Sequence, residues 1–316
     1  MTFVGGAAVA WPVATAAQQP AMPVVGFLDN ALPSPLRAFH EGLKEAGYVE
    51  GDNVAILYRF GEAHSDRLPE LAADLVRRRV AVPASYGTAP GLAAKAATTT
   101  IPVVFAVSDD PVRLGLITSL ARPGGNTTGY NFLAAELTAK RLGLLRELVP
   151  RAAKVAAILD PALPQTETIS QQLEAAAPAM GLKLQILKAS TSGEINAAFA
   201  AFARERPDAL FVGAGALFSN RRVQLVQLAA RYAIPASYPA REFVEVGGLM
   251  SYAPKLVESF RHIGAYTGRI LKGAKPADLP VVQSSKFELL INAETARLLD
   301  LAVPPQLLAI ADEVIE

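Results

Sequence analysis

Two pairs of small polar residues in the sequence have the types needed to bind an anion or an amine. Gly87-Thr88 follows one apolar run, and free backbone N–H groups at a helix start there would bind an anion. Ser108-Asp109 follows the next apolar run, where a carboxylate would pair with a ligand amine. Helix capping by Thr88 or Asp109 is an open alternative for both pairs, because Thr and Asp are common N-cap residues.

Aromatic residues recur at the ends of predicted strands or at predicted chain crossings. One aromatic residue at such a position is typical of a core, but five around one predicted cleft favour an aromatic-lined binding site. These residues are Tyr86, Phe132, Phe218, Tyr238 and Tyr252.

The residue patterns that would support catalysis are missing from the sequence. The three histidines, His40, His64 and His262, lack the spacing of metal ligands. There is no G-x-S-x-G elbow and no Walker A loop. The stretch GAGALF begins like a dinucleotide fingerprint, but Phe218 stands at its third glycine position. The chain contains no cysteine, which excludes thiolate catalysis. We therefore predict no catalytic residue, no metal site and no cofactor.

Composition narrows the function further. The chain has 316 residues, of which 51% are hydrophobic and 19% charged, so it can bury a sizeable core. Its formal net charge is +1, which gives no electrostatic reason to expect nucleic acid as a partner. No segment after the first twenty residues approaches the roughly 20 continuous apolar residues of a membrane span, so no integral membrane segment is expected.

The first 21 residues differ from the rest of the chain. They are small and apolar, and they turn polar at Gln18-Gln19-Pro20, as the end of a secretory signal peptide does. A positively charged start is missing, so a disordered leader is the alternative. We expect residues 1–21 to be a signal remnant or leader and the mature chain to be periplasmic. Because the chain has no cysteine, we expect no lipid anchor.

Short apolar runs alternate with amphipathic stretches, which predicts parallel strands covered by helices on both faces. The alternation begins at residue 24 and restarts at Lys154, so we predict two doubly wound α/β lobes of similar plan. The first series has strands at 24–28, 53–60, 80–86 and 101–107 and helices at 34–47, 65–79, 90–97 and 111–121. The second has strands at 154–159, 182–189, 208–213 and 234–238 and helices at 165–180, 193–204 and 221–232.

Two facing lobes of this kind form a cleft lined by the loops at the carboxyl ends of their strands. A ligand held there would favour a closed form by hinge motion. The predicted hinge is the stretch 126–132, and the stretch 247–254 is predicted to cross back so that a helix over 255–271 rejoins the first lobe.

Several longer stretches together resemble the periplasmic substrate-binding proteins of ABC transporters, the group that includes tryptophan- and tyrosine-type binding proteins. The resemblance extends from Met22 to Glu316 and rests on stretches such as GLKEAGYVEGDNVAILYRF, SDDPVRLGLITSLARPGGNTTGYNF, YPAREFVEVGGLMSYAP and KFELLINAETARLLDL. It implies the type I periplasmic binding fold. It also implies a chain without enzymatic activity that delivers a small solute to a permease and an ATPase. The ligands that the resemblance implies are aromatic amino acids or related compounds.

When the ligand-contacting positions of the family are transferred to this sequence, the resemblance implies that polar residues of the first lobe hold the polar end of the ligand. It also implies that aromatic residues flank the ring of the ligand. Together with the cleft loops, this gives the candidate ligand-binding residues Asn30, Tyr86, Gly87, Thr88, Ser108, Asp109, Asn131, Phe132, Pro161, Phe218, Tyr238, Arg241, Glu242 and Tyr252. The expected domains are 22–127 with 253–281 for lobe 1, and 128–252 with 282–316 for lobe 2, in a monomer.

Two departures from the family pattern bear on these expectations. Pro83 stands inside the third predicted strand, which predicts that the strand is interrupted or short. Tyr86 replaces a glycine, and Gly215-Ala216 stands where Asp-Pro is common, so ligand contacts on both sides of the cleft would change. A ligand-binding sensor of the same fold, or an enzyme on a doubly wound fold, is the alternative function.

Overall fold

A computed structural model describes residues 22–31, 35–132, 137–163 and 165–316. The predicted leader over residues 1–21 and residue 34, the first of the helix predicted over 34–47, lie outside the described residues. Within them, the chain forms two β-sheets with helices on both faces of each sheet, as the alternating sequence pattern predicts. We refer to each sheet with its helices as a lobe.

The sheet of lobe 1 has six described strands, all paired in parallel in the order β11-β5-β4-β3-β1-β2. Its central strands are apolar on both faces, as buried parallel strands are. The strands are β1 (Val24–Asp29), β2 (Ala55–Phe60), β3 (Val82–Tyr86), β4 (Val103–Val107), β5 (Thr127–Asn131) and β11 (Val282–Gln283).

Four helices cover this sheet, two on each face. The side chains of Phe27, Phe39 and Ile263 join the first face to α1 and α10, and those of Leu28 and Leu75 join the other face to α2 and α3. The helices are α1 (Leu36–Glu45), α2 (Leu68–Arg77), α3 (Thr88–Ala97) and α10 (Leu256–Leu271).

The sheet of lobe 2 has seven described strands in the order β13-β12-β10-β9-β8-β6-β7. They pair in parallel except for β10 and β12, which are antiparallel. The strands are β6 (Lys154–Leu159), β7 (Lys183–Lys188), β8 (Ala209–Val212), β9 (Ala236–Tyr238), β10 (Met250–Pro254), β12 (Phe287–Asn292) and β13 (Glu313–Ile315).

The helices of lobe 2 also pack on both faces of their sheet. Leu145 and Leu173 pack with Phe211 on one face, and Phe199 and Phe202 pack with the other. The helices are α4 (Thr138–Leu148), α5 (Thr166–Ala179), α6 (Ser192–Glu205), α7 (Ala216–Asn220), α8 (Arg222–Arg231), α9 (Arg241–Val244), α11 (Ala293–Leu298) and α12 (Pro305–Ile310).

The chain passes between the lobes at positions that differ from the predicted boundaries. Strand β5 pairs along its whole length with β4, so the predicted hinge at 126–132 is mostly a strand of lobe 1, and lobe 1 extends past residue 127. The second crossing follows β10, so 253–254 belong to lobe 2. Strand β11 pairs with β5, which keeps 282–283 in lobe 1. The main-chain pairing of these strands assigns each segment to the sheet of one lobe.

One predicted helix is replaced by turns. The stretch 111–121 was expected to be helical, but it forms a series of turns in which Gly115 has a φ of +70°. The N–H groups of Leu116 and Ile117 both bond to the carbonyl of Pro111, which is too distant along the chain for an α-helix. Leu116 and Ile117 nevertheless fill a small core against β4.

Pro83 does not interrupt its strand. It lies inside β3, opposite Gly26 of β1, and pairing of β3 with β4 begins only at Ala84. The missing N–H therefore lies at the start of the strand, where proline is tolerated best, and the predicted interruption is wrong.

The return of the chain to lobe 1 depends on close contact between α1 and α10. A Cβ added at Gly42 would overlap the carbonyl oxygen of Arg261, and one added at Gly264 would overlap that of Phe39. The two helix backbones approach so closely that only glycine fits at both positions.

We expect Gly42→Ala to lower the free energy of unfolding by about 1–3 kcal/mol, because the methyl group forces these helices apart. The matched control is Gly143→Ala in α4, where an added Cβ would lie 3.6 Å from Met180 Cε. That variant should be neutral or stabilised by about 0.5–1 kcal/mol. Urea denaturation measures both, and equal destabilisation of the two variants would contradict the close contact.

His262 gives the fold a dependence on pH. Its ring lies between Tyr130 and Tyr266, with centroid distances of 5.2 Å and 4.1 Å. Burial, with a smaller effect of the Arg269 charge, lowers the pKa of His262 from 6.5 to about 4. Between these values the unfolded chain binds a proton that the folded chain excludes, so stability falls as the pH falls through this range.

We expect His262→Phe to remove about 1–3 kcal/mol of the loss of stability between pH 7 and pH 4. Urea denaturation of both proteins at the two pH values measures this, and the difference between them isolates the histidine from other titrating groups. An identical pH dependence for the variant and the parent protein would contradict the lowered pKa.

Candidate ligand-binding cleft

The order of the strands places one set of loops from each lobe at the cleft. The order reverses between β1 and β3 in lobe 1 and between β6 and β8 in lobe 2. In open parallel sheets, ligands bind at such reversals, outside the carboxyl ends of the strands. The described parts of the loops that leave these strands lie at 30–31, 87, 160–163 with 165, and 213–215.

These loops enclose a cavity of about 160 Å³ between the lobes. A cavity of about this size in a protein core is known to accept a molecule as large as benzene. Its described lining residues are Asp29, Asn30, Ala31, Tyr86, Gly87, Thr88, Ala89, Pro90, Ser108 and Phe132 from lobe 1 and the chain next to it, Leu163, Gln165, Ala214, Gly215, Ala216, Ser219, Pro239 and Ala240 from lobe 2, and Pro254 and Leu256 at the second crossing.

Aromatic rings form one wall of this cavity. Tyr86 stacks on Phe132 with a centroid distance of 5.4 Å and on Phe260 with a centroid distance of 4.1 Å. Its hydroxyl is hydrogen-bonded to Ser259, and burial raises the pKa of Tyr86 well above its usual value. The ring that replaces a family glycine is therefore held against other aromatic residues, and the cavity beside it stays open.

The N-terminus of α3 carries a compact polar cluster. Gly87 begins it with a φ of +100°, a value that favours glycine. The hydroxyls of Thr88 and Ser108 lie 3.0 Å apart, and each donates to Asp109 Oδ2 at 2.7 Å. Thr88 and Ser108 line the cavity, and Asp109 accepts hydrogen bonds from both hydroxyl groups. Binding of an anion or an amine by these residues stays a prediction.

A second, smaller cavity of about 30 Å³ adjoins the first, and both are lined by Ser108 and Gln165. Tyr252, a predicted site residue, lines this second cavity. So does Arg141 of α4, whose guanidinium stacks over the ring of Phe211 with Cζ 3.7 Å from the ring centroid.

A third cavity of about 90 Å³ adjoins the first on the opposite side and contains the acidic residues of the cleft. Asp29 and Glu242 both line it, together with Arg222. Burial raises the pKa of Glu242, and the charges of Arg241 and Arg222 oppose that shift. The predicted residue Glu242 is therefore at the cleft, though outside the cavity of about 160 Å³.

Several predicted site residues lie elsewhere. Phe218 and Tyr238 are fully buried in the core of lobe 2, because their rings point into the sheet rather than out of the loop. Arg241 is held by ion pairs to Glu245, Glu288 and Glu313. Pro161 is exposed and lines none of the three cavities described above.

Two asparagines that were predicted to bind the ligand lie near the cleft and also make hydrogen bonds that stabilise the fold. Asn131 is buried in β5, where its carbonyl accepts the N–H of Ser284. Asn30 lines the large cavity, and its Nδ2 donates to Ser65 at 2.9 Å, which fixes the loop after β1.

The sequence reasoning missed several residues of the cleft. Arg141 lies in α4 and Gln165 immediately precedes α5, and nothing in the helical pattern of the sequence marks them as cleft residues. Ala214 and Pro239 lie in loops that were predicted to line the cleft, but as small apolar residues they gave no chemical signal. Pro254 lines the cavity because the chain crosses between the lobes there.

What the cleft can do chemically is to enclose a small, mostly apolar molecule and bind its polar groups. Among the described residues, no group of three His, Asp or Glu side chains could hold a metal ion. No helix in the described part of the chain is long and apolar enough to cross a membrane.

Comparison with known proteins decides the family. The family model described as ABC transporter substrate binding protein matches residues 25–315. This chain belongs to that family. As a member of this substrate-binding family, it is the solute-binding component of an ABC transport system, with a small-molecule ligand and permease and ATPase subunits as partners.

Similar proteins share the fold over nearly the whole chain. A tyrosine-binding protein of Clostridioides difficile is 25% identical over 272 residues, which is 86% of this chain and 78% of the relative. A conserved domain protein of Vibrio cholerae is 26% identical with a TM-score of 0.85, covering 93% of this chain and 99% of its own. An ABC domain in complex with L-Trp, from Streptococcus pneumonia, is 24% identical with a TM-score of 0.82, with the same coverage.

We expect Asp109→Ala to lower the free energy of unfolding of this substrate-binding protein by about 1–2 kcal/mol, because Thr88 and Ser108 lose their shared acceptor. Asp110→Ala is the control, since that exposed carboxylate accepts a single side-chain hydrogen bond within the described chain, from the N–H of Val112 at 2.8 Å. The control substitution should cost less than about 1 kcal/mol. Thermal and urea denaturation measure both. A control variant that is destabilised as much as Asp109→Ala would contradict the hydroxyl–carboxylate cluster.

Proposed function

We propose that this substrate-binding protein captures a small organic solute with an aromatic ring, an aromatic amino acid or a related compound, by closing its two lobes on it. The observation that carries the proposal is the cavity of about 160 Å³ that both lobes line. Tyr86 and Phe132 give it an aromatic wall, and prolines, alanines and leucines form most of the rest. Such a surface favours a flat apolar ring over a highly hydroxylated solute.

The names of similar proteins support this ligand class. One relative is described as tyrosine-binding, and another structure holds L-Trp. We infer binding without catalysis, because the polar groups at the cavity are arranged to hold a ligand. The hydroxyls of Thr88 and Ser108 donate hydrogen bonds to Asp109, and Ser219 lies on the lobe 2 wall of the cavity. We also propose that the protein acts in the periplasm as a monomer.

Closure follows from how the cavity is built. Its walls come from both lobes, and the lobes are connected by short crossings after β5, β10 and β11. Rotation about these crossings would open the cavity without breaking either sheet, which is the hinge motion of two-lobed binding proteins. A solute that touches both walls would stabilise the closed form by its differential affinity.

A thermal-shift screen of the purified protein against amino acids, aromatic acids and small amides tests the proposal. At about 100 times its dissociation constant, a solute adds about 2.7 kcal/mol to the stability of the folded chain and raises the melting temperature. We expect L-tryptophan, L-tyrosine or a related aromatic compound to raise the melting temperature, and polyols to leave it unchanged. If no aromatic solute raises it, the proposed ligand class is wrong.

A variant that fills the cavity shows whether binding occurs there. Ala214 lines both the large and the small cavity, so Ala214→Trp should abolish the ligand-induced shift and leave the unliganded melting temperature nearly unchanged. Ala200→Trp, at an exposed position of α6, is the matched control and should keep the shift. Retention of the shift by Ala214→Trp would place the ligand outside this cleft.

A further inference from the structure

Arg141 is a buried cation with no acidic partner among the residues that the structure describes. Arg141 is only 7% exposed. Burial lowers the pKa of its guanidinium to about 9, so the group still carries its charge at neutral pH. Buried charges in proteins are ordinarily paired with an opposite charge. Among the described residues that line the small cavity with it, none is an Asp or a Glu.

The contacts of Arg141 hold it in place but leave part of its donor capacity unused. One Nη2–H donates to the carbonyl of Val212, and the planar group stacks on Phe211. Its Nε–H has no hydrogen-bond partner among the described residues although the atom is buried. A guanidinium held flat with a free donor is suited to bind a planar anion such as a carboxylate.

The neighbouring Gln165 has the same property. It is 9% exposed, it lines both the large and the small cavity, and its Oε1 has no hydrogen-bond partner among the described residues. Its amide can donate to a carboxylate and accept from an adjacent amine. The small cavity of about 30 Å³ offers space for about two water-sized groups, which is the space that two carboxylate oxygens need.

The N-terminus of α3 could also attract an anion, but it already has a carboxylate beside it. Asp109 accepts both hydroxyl groups of the cluster there, and Asp29 lines the cavity on the same side. A second carboxylate at that position would be repelled. The cleft is therefore negative on the side of lobe 1 and positive at Arg141 on the side of lobe 2.

We propose that Arg141 selects solutes that carry a carboxylate, which occupies the small cavity next to Gln165 while the rest of the solute fills the large one. This inference rests on the proposed function. It adds that the ligand must carry a carboxylate and that Arg141 is the residue that binds this group. A cationic group on the ligand is expected on the opposite side, toward Asp29 and Asp109.

Matched pairs of solutes test the inference in the unaltered protein. The acids are L-tryptophan, L-tyrosine and benzoate, and their counterparts without the carboxylate charge are tryptamine, tyramine and benzamide. Isothermal titration calorimetry measures each dissociation constant. We expect at least one acid to bind, and its counterpart to bind about 30-fold or more weakly, as when a buried charge pair loses one partner.

Variants then locate the carboxylate. Arg141→Met should weaken binding of the acid by about 30-fold or more while changing the affinity for its counterpart without a carboxylate little, and Arg141→Lys should keep part of the affinity. Arg146→Met is the matched control on the same helix. Among the described residues, Arg146 donates to the carbonyls of Val149 and Pro150, and it lines none of the three cavities. Circular dichroism confirms that each variant is folded.

The outcomes separate this inference from the proposed function. Equal binding of acids and their counterparts by the unaltered protein would overturn the role of Arg141 while leaving aromatic-solute capture intact. Full binding of the acids by a folded Arg141→Met variant would do the same. If Arg141→Met does not fold, the inference is still tested by the affinities of the matched solute pairs for the unaltered protein and by the affinity of the acid for Arg141→Lys. If none of the six probes binds, the proposed aromatic ligand class fails, and the carboxylate inference fails with it.

Discussion

Parallel pairing in both sheets is the constraint on which the cleft depends. Parallel strands end at the same edge of a sheet, and in each lobe the order of the strands reverses once beside a central strand, at β1 and at β6. The loops at these two reversals face each other and supply part of the lining of the large cavity from each lobe. The strand order of each sheet thus determines which loops form that lobe's wall of the binding site. The chain connects the two lobes three times, which keeps the two walls together.

The cleft combines a mostly apolar surface with charges of opposite sign at its two sides. Small residues such as Ala214 and Gly215 leave room between the lobes, and Tyr86 supplies an aromatic wall because Phe132 and Phe260 hold its ring aside. The acidic groups are in lobe 1 or at the third cavity, whereas the buried guanidinium of Arg141 is in lobe 2. A solute with both charges would therefore contact both lobes, which couples its binding to closure.

The sequence predicted much of the fold, because hydrophobic runs and helix stop signals report local structure well. The strand from Val24, the restart at Lys154 and the helix that rejoins lobe 1 are all present in the structure. The expected helix over 111–121 is absent because tertiary packing of Leu116 and Ile117 outweighs helix propensity there. The crossing points also shifted, since the pairing of edge strands such as β11 depends on residues far apart in the chain.

The site was predictable only where the chemistry is carried by loop residues. Thr88 and Ser108 follow strand ends and were identified, but Phe218 and Tyr238 have the same sequence signal and point into the core. The direction of a side chain at a loop depends on backbone geometry that the residue type does not specify. Arg141 and Gln165 became visible only once burial and missing partners could be assessed in three dimensions.

The distance between the lobes, with and without solute, tests the central account most directly. The natural chain has no cysteine, so spin labels can be attached to cysteines introduced at two exposed helix positions, Lys44 in lobe 1 and Ala200 in lobe 2. Double electron–electron resonance would then report the distribution of distances between them. We predict a broad distribution without solute and a narrow one at a single closed distance with a saturating solute that binds. A distribution that is the same with and without a bound solute would contradict capture by closure.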